Sequence, residues 1–161
     1  KSSSHTSPSS TRWCGEKNDI DCRITFTSMV KLLNFELFDR ISKEAANTER
    51  GRKNYDLRDS ENENGQRMLN ILNPGSKTPI HRHQSTNEAV VCIFGSVTEN
   101  IYDMNGNIID SIRLTAGGNL SGLIIEQNTY HSLEATEKMG VVISTKAGSF
   151  KPMNPDDILQ L

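Results

Sequence analysis

The first region with a clear hydrophobic pattern is "NFELFDRISKEAAN", whose period is that of a helix. Its apolar positions recur three and four residues apart, at Leu37, Phe38, Ile41 and Ala45. Asn34 precedes the run and is a favourable N-cap, because its side chain accepts from the free amides of the first turn. The pattern predicts an amphipathic helix that begins after Asn34 and is ended by Gly51.

From Gln66 onward the apolar positions form short runs, rich in β-branched residues, with turn residues between them. The runs are "RMLNIL", "TPIHRH", "EAVVCIFG", "SVTENIYD", "IIDSIRL", "LSGLIIE", "YHSLEA" and "GVVISTKAG". Asn105-Gly106 lies between two of them and is a strong hairpin signal. About eight short strands without βαβ alternation predict an all-β barrel or sandwich. Asn154, followed by Pro155, predicts a short C-terminal helix.

The chain has 161 residues, which indicates one principal domain. Its first part, beginning "KSSSHTSPSS", is serine-rich and lacks a signal-peptide core. We expect residues 1–28 to be an extension outside the native domain, which would begin near Met29. Residues 29–65 would form the helix and a basic loop that pack on the barrel, and residues 66–161 the barrel itself.

Charge and cysteine content exclude several function classes. The net charge of −2 and a pI of about 6.1 argue against a nucleic-acid partner. No apolar run reaches the length of a membrane span, so no membrane partner is expected. Three cysteines, Cys14, Cys22 and Cys92, are an odd number without zinc spacing, and Cys92 lies in an apolar run. These features favour a cytoplasmic protein without a disulfide framework.

The stretch "HRHQSTNEAVVCIF" contains the candidate chemistry. On a strand His81 and His83 point to one face, and Glu88 follows after a four-residue turn. Burying Glu88 among apolar residues is costly unless a cation lies at its carboxylate. His131, at the start of a later strand, can reach the same point in a barrel. Three imidazoles and one carboxylate suit one divalent metal ion: Fe, Mn, Ni, Co or Zn.

Simpler interpretations exist for each of these residues. His81 and His83 would be incidental histidines of a polar loop, and His131 a hydrogen-bonded core histidine. Glu88 would pair with a nearby lysine or arginine instead of a metal. The spacing nevertheless resembles the first motif of the cupin superfamily, which is met at Gly75, His81, His83, Glu88 and Gly95.

The second cupin motif is only partly present. Glu126 and Asn128 stand where the family has proline and glycine, and Ala135 replaces its asparagine. Asn128 tolerates the left-handed backbone that the glycine would adopt, so the turn can be kept. His131 is the one metal ligand that this motif contributes.

Three further segments resemble the WbuC-type cupin fold metalloproteins, which are small bacterial proteins. The segments are "LLNFELFDRISKEAANTERGRKNYDL", "GQRMLNILNPGSKTPIHRH" and "GSFKP". The resemblance implies a jelly-roll barrel (a double-stranded β-helix) with a short N-terminal helix and one metal ion. Because genes for such proteins often accompany genes for O-antigen and other surface-polysaccharide synthesis, it also implies a sugar-like ligand.

Candidate ligand-binding residues lie in two places: in the basic stretch that follows the helix, and on the strand that precedes the histidine pair. Arg50, Arg52 and Lys53, in "RGRKNY", form either a solvated basic loop or an anion clamp at the barrel mouth. Arg67 and Asn70 are an odd number of residues apart, so on a regular strand their side chains point to opposite faces of the sheet. At most one of them therefore faces the cavity of the barrel. Tyr130 adjoins His131 but points to the opposite face, and we interpret it as structural.

The predicted function is metal-dependent chemistry on a small anionic molecule, with no catalytic residue assigned. A sugar or nucleotide sugar would be isomerised or epimerised, with the metal stabilising an enediolate. An Fe(II)-dependent dioxygenase uses the same ligands. A non-catalytic module that binds or senses a ligand is the alternative from another class. The apolar runs could also support a homodimer.

Overall fold

The structure, a computed structural model, describes residues 30–160. The predicted extension, with Cys14 and Cys22, lies outside them. The described part has one α-helix, α1 (Phe35–Ala46), and nine strands. The strands are β1 (Arg52–Asp56), β2 (Gly65–Leu72), β3 (Ser76–Lys77), β4 (Glu88–Phe94), β5 (Ser96–Tyr102), β6 (Ile108–Thr115), β7 (Gly122–Ile125), β8 (Tyr130–Ala135) and β9 (Gly140–Ala147).

The strands form two antiparallel sheets, which confirms the all-β prediction. One sheet has the order β1-β2-β9-β4-β7 and the other has the order β3-β8-β5-β6. The hairpin between β5 and β6 turns at Asn105-Gly106, as the sequence predicts. No helix among residues 30–160 combines the length and apolarity that crossing a membrane requires.

Helix α1 covers the outer face of the five-stranded sheet. Phe38 and Ile41 are buried there against Leu69, Ile71 and Val141. The Asn34 side chain accepts from the amide of Leu37 at 3.0 Å, which confirms the predicted N-cap. Burial of each large apolar side chain contributes roughly 1.5–3 kcal/mol, so packing on the sheet is what holds this 12-residue helix.

The inner face of the same sheet is apolar at one end and polar at the other. Along β9, Val142 lies in the core, and Ser144 and Lys146 follow on the same face toward the opposite end. Along β4, Cys92 is buried in the core, and Glu88 begins the strand at the polar end. The side chains that point inward thus give the barrel an apolar end and, at the opposite end, a polar cavity.

Four local predictions differ from the structure. The helix ends at Ala46, not at Gly51, which lies in the turn that follows it. The stretch "RGRKNYD" contains the edge strand β1 and is not a loop, because its alternating residues fit between the helix and the cavity. "TPIHRH" is not a regular strand either, since β3 ends at Lys77. The C-terminal helix is a single 3-10 turn, Pro155–Asp157.

Gly95, the last residue of the predicted motif, joins β4 to β5 with a φ of 64°. A Cβ at this position would collide with the carbonyl oxygen of Met139. Both the backbone angle and the lack of space require glycine.

We therefore predict that Gly95→Ala lowers the free energy of unfolding by more than the roughly 1–2 kcal/mol of the left-handed backbone alone. Gly65→Ala is the matched control, because a Cβ there meets no atom within 4 Å. Denaturant unfolding of both variants measures the difference. Equal stability of the two variants would contradict the stated role of Gly95.

Candidate metal centre

Four side chains converge at the polar end of the barrel. The candidate ligand atoms of His81, His83, Glu88 and His131 all lie within 4.8 Å of one another. The two neighbouring histidines precede β4, Glu88 is the first residue of β4, and His131 is the second residue of β8. Because β4 and β8 belong to different sheets, the cluster links the two layers.

Backbone hydrogen bonds fix the positions of these residues. His81 and His131 pair their backbones, with N···O distances of 3.0 and 2.8 Å. The amide of Asn128 donates to the carbonyl of His83 at 2.7 Å. Asn128 has a φ of 67°, so it adopts the left-handed backbone expected from the sequence at this turn.

The orientation of two imidazoles suits metal binding. His81 Nδ1 lies 3.0 Å from the carbonyl oxygen of Pro79, and His131 Nδ1 lies 2.9 Å from that of Thr129. A carbonyl only accepts, so each Nδ1 carries the proton and each Nε2 presents a lone pair to the cluster. Burial lowers the pKa of His81 to about 4, which keeps this imidazole neutral.

The Glu88 carboxylate is the negative centre of the cluster. Its Oε2 atom lies 2.9 Å from His83 Nε2 and 3.4 Å from His131 Nε2. Burial raises the pKa of Glu88, but the hydrogen bonds of these histidines and the charge of Lys146 outweigh it, so the pKa stays well below its usual range. The carboxylate is therefore ionised and buried.

The environment of His131 favours a cation at the same point. Burial lowers the pKa of His131, but the Glu88 carboxylate and the Thr129 carbonyl beside the ring, together with the charge of Glu99, raise it above its ordinary value. Its Nε2 atom is buried and has no good hydrogen-bond partner among residues 30–160. A divalent cation between Glu88 and the three imidazoles would satisfy both the buried anion and this nitrogen. The four residues fit a metal site.

A cavity of about 950 Å³ opens beside the cluster. Five basic side chains line it, from Arg50, Arg52, Arg82, Lys146 and Lys151. The acidic residues in the lining are Glu88, Glu99 and Asp157. The cavity is therefore richer in cationic than in anionic groups, and a metal ion would add further positive charge.

Arg50 and Arg52 have no ion-pair or side-chain hydrogen-bond partner within the described part of the chain. Burial lowers the pKa of Arg52, and the neighbouring charge of Arg50 lowers it further. Lys146 Nζ lies 3.2 Å from His83 Nδ1, close to the candidate metal ligands. Two unpaired guanidinium groups and a lysine form an environment for an anion.

Of the four predicted ligand-binding residues, two point into the cavity and two point away from it, because side chains alternate between the faces of a strand. Arg52 and Asn70 line the cavity, and Asn70 donates to Ser144 Oγ at 3.1 Å. Lys53 points the other way and pairs with Glu44 of α1. Arg67 also points away from the cavity and forms an ion pair with Glu63. Lys53 and Arg67 are therefore not brought to the site.

Two cavity residues were not predicted from the sequence, Lys146 and Glu99, whereas Arg50 lies in the basic stretch for which the sequence offers the anion clamp. Lys146 shares a face of β9 with Val142 and Ser144. Only the pairing of β9 with β4 shows that this face lines the cavity, and the sequence does not reveal that pairing. Glu99 carried a usable signal, because it lies two residues after Val97 on a half-buried strand. Burial raises the pKa of the Glu99 carboxyl to about 8, with His131 opposing and Glu88 adding to the shift.

Solved structures share this architecture. Oxalate oxidase, in complex with the substrate analogue glycolate, matches with 14% identity and a TM-score of 0.55 over 68% of this chain and 57% of that chain. KdgF from Halomonas sp. matches with 14% identity and a TM-score of 0.52 over 64% and 85%. The capsular polysaccharide assembling protein CapF from Staphylococcus aureus matches with 21% identity and a TM-score of 0.50 over 68% and 33%.

At these identities the likeness shows the fold alone, and that fold is the cupin barrel. The chain spans only part of CapF and of oxalate oxidase. The chain therefore has the fold of a cupin barrel, which carries a candidate metal centre of three histidines and one glutamate. A family model described as "Domain of unknown function (DUF6016)" matches residues 33–114, just over half of the chain. The chain belongs to this family, and no curated protein matches its sequence.

The buried Glu99 predicts a pH dependence of stability for metal-free protein. The folded-state pKa of about 8 lies above the ordinary 4.5, so between these values the folded state holds a proton that the unfolded state releases. Stability therefore falls as the pH rises through this window. We predict that Glu99→Gln, which cannot ionise, gains stability over the natural protein from pH 5 to pH 8, by on the order of a few kcal/mol.

Thermal and denaturant unfolding at both pH values measure this gain. Glu137→Gln is the matched control, because Glu137 is exposed and lies outside the cavity. A difference between Glu99→Gln and the natural protein that is the same at pH 5 and pH 8 would contradict the prediction.

Proposed function

We propose that this protein is a metal-binding cupin that binds, and chemically transforms, a small anionic molecule. His81, His83, Glu88 and His131 would hold one divalent ion. The observation that carries the proposal is the convergence of four ligand atoms within 4.8 Å around a buried carboxylate. Lys146, an immediate neighbour, would remain outside the ligand set because its ammonium group has no lone pair.

The donor set limits the metal and its chemistry. Three imidazoles and one carboxylate, with no thiolate, suit Fe, Mn, Ni, Co or Zn. The ion would act as a Lewis acid toward a carbonyl or hydroxyl oxygen of the ligand. The chain supplies the rest: Nδ1 hydrogen bonds hold the imidazoles in place, and the low pKa of Glu88 keeps its carboxylate available.

The basic wall of the cavity supports an anionic ligand. Arg50 and Arg52 lack partners of their own among residues 30–160, and guanidinium groups bind carboxylate or phosphate oxygens through two parallel hydrogen bonds. Asn70 adds a neutral donor on the neighbouring strand. A ligand of about 950 Å³ or less that carries a carboxylate or phosphate fits this description.

The resemblance to WbuC-type cupins supports a narrower proposal. The ligand would be a sugar or nucleotide sugar of surface-polysaccharide or O-antigen synthesis, and the reaction an isomerisation or epimerisation. An Fe(II)-dependent dioxygenase reaction and a non-catalytic sensing module are the alternatives. A cytoplasmic location and a homodimer belong to the same proposal. The exposed isoleucines Ile108 and Ile109 on edge strand β6 are compatible with a dimer surface.

We predict that the purified protein contains about one metal ion per chain and that the double variant His81→Ala/His83→Ala loses it. Elemental analysis by mass spectrometry measures both. His5→Ala is the matched control, because the proposed site does not use this histidine. A protein that takes up no metal after reconstitution, or a double variant that retains it, would contradict the proposal.

We also predict that Arg50→Gln/Arg52→Gln weakens binding of inorganic phosphate to the metal-loaded protein about tenfold or more, because charged hydrogen bonds are lost. Metal content should not change. Arg67→Gln serves as the control, since Arg67 pairs with Glu63 outside the cavity. Isothermal titration calorimetry gives the affinities. Unchanged affinity in the double variant would exclude the arginine pair as the anion site.

A further inference from the structure

Glu99 is a buried carboxyl group for which the fold gives no structural reason. It lies on the inner face of β5, where its side chain is 1% exposed. Its Oε1 atom is buried and has no hydrogen-bond partner in the region the structure describes. Leaving such a group unpaired costs about 1–3 kcal/mol, so a leucine or methionine would serve the core better at this position.

The strand register places Glu99 beside the metal centre. Its backbone partner on β8 is Leu133, and His131 lies two residues away on the same strand. Residues two apart on a strand share a face, so Glu99 and His131 are diagonal neighbours inside the barrel. Both side chains line the cavity with Glu88.

Glu99 is nevertheless distinct from the candidate metal ligands. The group of converging ligand atoms consists of three histidines and Glu88, and Glu99 does not belong to it. It has no ion pair with Arg50, Arg52 or Lys146, although all three line the same cavity. A carboxyl group in this position is available to a molecule that enters the cavity.

We infer that Glu99 is a catalytic residue, a neutral carboxylic acid that donates its proton to an oxygen atom of the ligand bound at the metal centre. This inference rests on the proposed function and deepens it. In the transfer, the O–H bond of Glu99 breaks and an O–H bond forms on the ligand oxygen. Glu99 is left as a carboxylate, and a proton taken from the product or from solvent restores it.

The surroundings of Glu99 support both states of the carboxyl group. The apolar neighbours Val97 and Leu133 favour the neutral acid. The basic side chains of Arg50, Arg52 and Lys146, which line the same cavity, favour the carboxylate that the transfer produces. The ligand class that follows is a small hydroxy or keto acid, or a sugar acid, with one oxygen to receive the proton and an anionic group for the basic wall.

The test uses the full chain loaded with cobalt(II), with glycolate and inorganic phosphate as probes. Glycolate carries a hydroxyl and a carboxylate, and the visible spectrum of the cobalt protein reports its binding. We expect Glu99→Ala to bind glycolate about tenfold more weakly and Glu99→Gln, whose amide still donates, to remain within about threefold of the natural protein. Glu137→Gln, exposed and outside the cavity, is the control.

Infrared difference spectroscopy supplies a readout that a purely structural role would not change. Adding glycolate should shift the carbonyl stretch of a protonated carboxylic acid, and this band should be missing in Glu99→Gln. Full glycolate affinity in Glu99→Ala, or a difference spectrum without this band in the natural protein, would overturn the inference. If Glu99→Ala fails to fold, the band and its loss in Glu99→Gln decide the question alone.

The outcomes separate the inference from the function on which it rests. A natural protein that takes up no cobalt contradicts the metal centre itself. Cobalt uptake without binding of either probe contradicts the anionic ligand, and the role of Glu99 with it. Cobalt uptake and probe binding that are the same in all Glu99 variants contradict the role of Glu99 alone.

Discussion

The buried carboxylate of Glu88 is the constraint on which the polar end of the barrel depends. A buried charge without a partner is strongly destabilising, and its removal from water is compensated only by close charges and hydrogen bonds. Here two imidazoles and the ammonium of Lys146 contribute to a low pKa for Glu88. These groups come from β4, β8, β9 and the segment before β4, so one anion ties both sheets together.

Because side chains alternate along the strands, one face of the five-stranded sheet packs against helix α1 and the other face lines the cavity. Leu69 and Ile71 hold helix α1 on the outside, while Asn70 between them lines the cavity. By the same alternation, Lys53 points to the helix, and Arg52 points into the cavity, where it has no ion-pair partner in the part of the chain that the structure describes. The contacts of the sheet with helix α1 and its proposed ligand-binding groups therefore occupy separate faces of the sheet.

Much of this could be predicted from the sequence because the signals are local. Helical spacing before residue 47, β-branched runs after residue 65 and the Asn-Gly turn are each properties of a few neighbouring residues. The ligand cluster was predicted because fixed spacing relates His81, His83 and Glu88, and Asn128 preserves the turn before His131. Lys146 and Glu99 were not predicted, since their roles depend on which strands become neighbours, and pairings over long sequence separations leave no local pattern.

The central claim is that the four clustered residues hold a metal ion, and an X-ray absorption spectrum of the metal-loaded protein tests it most directly. The account predicts the scattering pattern of imidazole rings around the ion, together with an oxygen ligand and no sulfur. Replacement of His131 by alanine should reduce the imidazole contribution. A spectrum with oxygen ligands alone, or one with sulfur, would show that the ion binds elsewhere, and the metal centre would have to be abandoned.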